Sequence, residues 1–162
     1  MDKQTIVNSE IYQENRKLLI LGQLGNVSAR ATRKVDPEVA KVNAQLLMDC
    51  MSEGILIEPE LVFKAGVDVY YRDPETKGTL LHYAAAYGVR SVIKLLLKEG
   101  KKLPYLSKDA KGRYASELAY EIPGDIALGR LLIKKESEGA IDNQMIIYGP
   151  DAGTRHIDLT GD

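Results

Sequence analysis

At 162 residues, with 44% hydrophobic and 28% charged side chains and a formal net charge of -1, the chain has the balance of one folded domain or one short repeat array with tails. That charge gives no general pull toward nucleic acid or an anionic membrane. A single cysteine, Cys50, excludes an intramolecular disulfide framework and any cysteine-based zinc spacing, and favours a reducing compartment.

Residues 1–9 are polar and read as a frayed terminus. The following stretch, EIYQENRKLLILGQLG, carries Ile11, Leu18, Leu19, Leu21 and Leu24 over a plausible helix length, weakened near its end by Gly22 and Gly25. It reads either as a capping helix over the open apolar side of the body or as a separate recognition or export arm. Residues 26–36, NVSARATRKVD, read as a linker. Lys3, Arg16, Lys17, Arg30, Arg33 and Lys34 outweigh Asp2, Glu10 and Glu14 in this region, a mildly basic arm before a mildly acidic body. With no apolar h-region in MDKQTIVNSEIYQENRK and no long apolar run, a cytoplasmic protein is expected, with non-classical export left open.

Asp36-Pro37 is a helix start. Beyond it the clearest pattern is TLLHYAAAYGVRSVIKLLLKEG, from Thr79 to Gly100. Leu80, Leu81, Ala84 and Ala85 recur near a 3.6 spacing, and Gly88 suits the positive φ that ends such a helix. Val92, Ile93, Leu95, Leu96 and Leu97 restart the period until Gly100. Thirty-four residues earlier, Leu46, Leu47, Cys50, Met51, Gly54, Leu61, Val62, Phe63 and Gly66 fall on the same positions, with Gln45 and Met48 replacing Thr79 and His82. A third copy comes after: Gly112 and Tyr114 match Gly78 and Thr79, and Ala127, Leu128, Arg130, Leu131 and Leu132 match the second helix. There Ser116 takes an apolar place, Glu117 replaces His, and Pro123 displaces the turn glycine to Gly124.

Thr79-Leu-Leu-His-Tyr-Ala-Ala, then Gly88, then an apolar helix ending in Leu-Leu-Leu-Lys-Glu-Gly resembles the ankyrin repeat, with Leu80 in place of the family's proline. The resemblance implies an all-α solenoid of about three helix-turn-helix repeats, near 37–67, 68–101 and 102–138, behind an N-terminal capping helix and before an irregular tail over 139–162. It implies that GVDVYYRDPETKG, from Gly66 to Gly78, projects as a hairpin-like loop, and that His82 bonds loop backbone and holds neighbouring repeats together. After Gly139 helical periodicity is lost; MIIY is too short to build a sheet alone, and partial disorder is expected beyond Gly149.

Catalytic chemistry finds little support. His156 lies among Asp151, Arg155 and Asp158 with no framework to orient it, Glu136 and Glu138 read as a solvated pair, and Cys50 sits at a core position. No phosphate-cradling loop is present, and neither cofactor, metal nor small-molecule substrate is expected. Nine tyrosines with one phenylalanine and no tryptophan favour a wet interface instead. On the ankyrin reading the partner-binding candidates are Arg72, Glu75 and Lys77 on the first full hairpin, Tyr83 and Tyr87 on the next helix, and Arg113 and Tyr120 one repeat on; Tyr83 reads equally as a filler between repeats. The expected function is a non-catalytic module binding another protein, with no nucleic acid or membrane partner. The alternatives are an enzyme or nucleotide-binding protein using the tail, or a secreted bacterial effector. Truncation after Gly139 is expected to abolish activity without unfolding the helices if the tail carries the function; Tyr87→Ala with Arg72→Ala is expected to weaken partner capture if the groove does.

Overall fold

The computed structural model describes residues 2–24, 36–99, 102–142, 145–147 and 156–158. The helices are α1 (Lys3–Asn8), α2 (Glu10–Ile20), α3 (Pro37–Glu53), α4 (Pro59–Ala65), α5 (Leu80–Ala86), α6 (Arg90–Lys98), α7 (Ala115–Glu121) and α8 (Ile126–Asp142). Two short strands, β1 (Met145–Ile147) and β2 (His156–Asp158), pair antiparallel with Ile146 opposite Ile157. The fold is otherwise helical. The expected linker lies outside the described residues except for Asp36, as does most of the stretch beyond Gly149.

Local chemistry sets the boundaries. Asp36 Oδ1 accepts the Glu38 N–H at 2.9 Å ahead of Pro37 in the first turn, and Gly54 ends α3 at φ +69°. Gly88 and Gly124 close α5 and α7 at φ +66° and +65°, so each pair turns on a left-handed glycine. Asp125 Oδ1 accepts the Leu128 N–H at 3.1 Å at the start of α8. Because α3 begins at Pro37, position 45 lies within a continuous helix and needs no capping Thr; this is the physical reason for Gln45 where the central copy has Thr79.

The first helices of the three pairs, α3, α5 and α7, pack in succession, with α4, α6 and α8 behind them. Leu46, Leu47, Leu80, Leu81, Val92, Leu96, Leu118 and Leu132 fill the core, each contributing on the order of 2 kcal/mol by leaving water. Cys50 is fully buried, and burial pushes its thiol up to about 11, so it packs as a small hydrophobe.

Several expectations need correction. Residues 3–8 are not frayed: α1 is capped by Asp2, whose Oδ1 accepts the Thr5 N–H at 2.8 Å, and it buries Ile6. Of the apolar set expected around α2, Leu19 and Leu24 are buried and Leu18 packs against the core, joined by buried Tyr12, whereas Ile11 and Leu21 face solvent; the helix also meets α3 through polar groups, Asn15 Nδ2 donating to Asn43 Oδ1 at 2.8 Å. Finally, α8 continues past Gly139 to Asp142 and buries Ala140, so truncation after Gly139 would cut a packed helix rather than free a tail.

Glu136 of α8 is not solvated either. It is fully buried and accepts from the Ser116 hydroxyl at 2.6 Å and the Ser116 N–H at 3.2 Å, joining α7 to α8. Burial outweighs these bonds and pushes its carboxyl from 4.5 up to about 7. Its stabilising contribution is therefore complete below pH 4.5 and lost as pH rises through 7. Buried His82, whose pKa is lowered, acts in the opposite sense: its contribution is present above pH 6.5 and lost on acidification. In urea titrations at pH 5 and pH 8, Glu136→Gln is expected to gain about 2–3 kcal/mol on wild type across the interval, His82 cancelling in the difference; a pH-independent difference would refute the assignment.

Candidate functional site

Two loops project on one side of the helix pairs, each built on an aspartate. Asp73 Oδ1 accepts the Glu75 and Thr76 N–H groups at 2.7 and 3.0 Å, and Asp109 Oδ1 accepts those of Lys111 and Arg113 at 3.0 and 2.9 Å. The loops are then joined. The Ala110 N–H donates to the Thr76 carbonyl at 2.8 Å, the Arg72 guanidinium donates to the carbonyls of Lys77 (2.8 Å) and Lys108, and the Tyr70 hydroxyl donates to the Lys102 carbonyl.

His82 adds the link to the helices. Its Nδ1 accepts the Thr79 N–H at 3.2 Å, and its Nε2–H donates to the Arg113 carbonyl at 2.9 Å. Burial keeps the ring neutral, and with both nitrogens engaged it has no lone pair for a substrate. Ser116 and Glu136 have the atom types of a nucleophile and base but are both fully buried.

Between the loops and the helices lies a groove with a cavity of about 150 Å³, lined by residues that include Thr76, Tyr83, Tyr87, Arg113, Leu118 and Ile122. Tyr83 and Tyr87 stack with ring centroids 6.2 Å apart and planes 25° apart. Tyr83 is buried, its hydroxyl donating to Asp73 Oδ2 at 3.0 Å, while Tyr87 is 50% exposed at the lip. Arg113 sits 2.9 Å from Asp109 and 3.9 Å from Glu121.

The seven expected site residues therefore divide. Tyr83, Tyr87 and Arg113 meet in the groove. Lys77 is exposed on the first loop, at φ +60°. Arg72 is a clamp between two loops, so its removal would disturb the scaffold and any binding together. Glu75 lines a separate cleft beside α1. Tyr120 does not join the groove set: its ring packs against Gly129 of α8, where an added Cβ would lie 2.5 Å away, and among the described residues its buried hydroxyl has no partner.

Beneath the groove is a polar cluster that sequence reasoning missed. Gln45 Nε2 donates to Asp49 Oδ1 at 2.9 Å and Asp73 Oδ2 at 3.0 Å, and Gln45 Oε1 accepts the Tyr71 hydroxyl at 2.6 Å. The Tyr12 hydroxyl donates to Asp49 Oδ2, and Lys3 Nζ reaches Asp73 at 3.3 Å. Burial alone would raise the Asp73 pKa, but donors from Gln45, Thr76, Glu75 and Tyr83 hold it at about 2. The available signal was Gln45 and Asp49, four residues apart on one face of α3 and flanked by apolar residues.

No protein-family model matches the chain, and no curated protein matches it. Among the described residues no helix is long and apolar enough to cross a membrane.

The two tyrosines give a paired test. Tyr71→Phe strands Gln45 Oε1 and is expected to cost about 1 kcal/mol, whereas Tyr120→Phe removes an unpaired buried hydroxyl and is expected to stabilise by about as much. Chemical denaturation midpoints of the two variants should move in opposite directions. Asp73→Ala, which orphans several buried donors at once, is expected to cost about 3 kcal/mol or more.

Proposed function

We propose that the chain is a non-catalytic protein-binding module of the ankyrin-repeat type, gripping its partner in the groove between loops and inner helices. Three helix pairs in succession, each turning on a left-handed glycine, and the Thr79–His82 cap support the repeat assignment. The observation that carries the binding reading is the half-exposed Tyr87 stacked on buried Tyr83 at the lip of a groove whose walls are already cross-linked. Aromatic groups on rigid supports bind with little ordering cost. Ile122, 58% exposed, extends the apolar lip beside it. The free, buried Cys50 thiol fits a reducing, cytoplasmic setting.

Tyr87→Ala with Ile122→Ala is the appropriate probe, because neither side chain clamps the scaffold. Affinity capture is expected to fall at least tenfold with the melting temperature little changed, while Leu97→Ala on α6 leaves capture intact. Equal capture by all three proteins would refute the groove.

A further inference from the structure

The short helix α1 sits where a ligand would. Lys3 projects its ammonium to 3.3 Å from Asp73 and 4.0 Å from Asp49, and the Asp73 side chain is fully buried. Ile6 is buried beside it, and Val7 is packed against the core. Around this contact remains a cleft of about 360 Å³, with Glu53 and Glu75 on its lining. Arg16 lies on the same lining and pairs with Glu53 at 2.6 Å, which leaves Lys3 as the cation against Asp49 and Asp73.

Six residues make fewer than two turns, far below the length at which a helix persists in water. Its order therefore comes from docking. Ser9, which ends α1, is also the residue whose side chain accepts the Tyr12 N–H to start α2. The side-chain ties back from this joint to α1 are the Ser9 hydroxyl to the Ile6 carbonyl and the exposed Gln13 side chain to the Val7 carbonyl, both at 2.7 Å, and α1 can leave by giving these up while Ser9 still caps α2.

We propose that α1 is a strap filling, in cis, a docking cleft for a partner's own short amphipathic helix, one that presents a lysine followed three residues later by Ile or Val. This rests on the protein-binding reading above and adds the chemistry of the partner: its ammonium replaces that of Lys3 against Asp49 and Asp73, and its apolar residue replaces Ile6. Charge complementarity commits the Lys3 position to a basic group, since a carboxylate there would face Asp49 and Asp73, with Glu75 on the same lining.

The test uses the full chain and the strap's own sequence. A peptide of residues 2–9, DKQTIVNS, is titrated by chemical-shift mapping into wild type and into Lys3→Ala/Ile6→Ala. The unlatched variant is expected to bind at least tenfold more tightly than wild type, and a peptide with Lys3→Met at least tenfold more weakly than the native peptide. Equal binding by both proteins, including none by either, overturns the proposal. Because loss of Ile6 threatens folding, Lys3→Ala alone is run in parallel, and hydrogen exchange of wild type reads the opening directly. Amides of α1 are expected to exchange while those of α3 stay protected; exchange of α1 only together with α3 overturns the strap. None of these outcomes bears on Tyr87→Ala capture, so strap and groove can fail separately.

Discussion

A single buried carboxylate, that of Asp73, organises the loop side of the molecule. One of its oxygens closes the loop turn, and the other takes donors from α3, α5 and α1 through Gln45, Tyr83 and Lys3. An anion this deep is tolerated only because every direction around it supplies a donor. The same bonds that satisfy it also fix the loop relative to two successive helices. The rigidity of the groove wall is thus a consequence of satisfying one charge.

The far side of the groove is held by different means. There the ties are a neutral histidine bonded to the Arg113 carbonyl, the bidentate pair of Arg90 with Asp125 at 2.9 and 2.6 Å, and the Ser116–Glu136 contact within the last helix pair. Lys108 lies 5.4 Å from the centre of the Tyr114 ring and adds a weaker cation–π contact. Polar clamps therefore join elements whose apolar faces are narrow, as expected where α5 and α7 contribute only seven residues each. A surface assembled in this way is preformed, so binding on it would cost little ordering.

The helix pairs and their turns were legible in the sequence because a repeated period and a positive-φ glycine leave local marks; Gly54 and Gly88 stand where the pattern requires them, and Gly124 serves the third turn displaced past Pro123. The role of His82 was legible through resemblance alone, since nothing local to the residue announces the Arg113 carbonyl. Three features left no local mark. Docking of α1 depends on Ile6 and Lys3 meeting residues far along the chain, so the polar stretch 1–9 read as frayed. Tyr120 turned toward α8 because Gly129 leaves space for a ring, a long-range complementarity invisible to periodicity. Arg72 looked free on a loop because its acceptors are backbone carbonyls, which sequence does not distinguish.

The central claim is that partner binding occurs in the groove between the loops and the inner helices. Hydrogen exchange on the wild-type chain with and without its captured partner tests this most directly, since it maps contact without altering any side chain. The account predicts added protection over residues 76–87 and 109–122. Added protection confined to α4 and α6, with the groove unchanged, would contradict it.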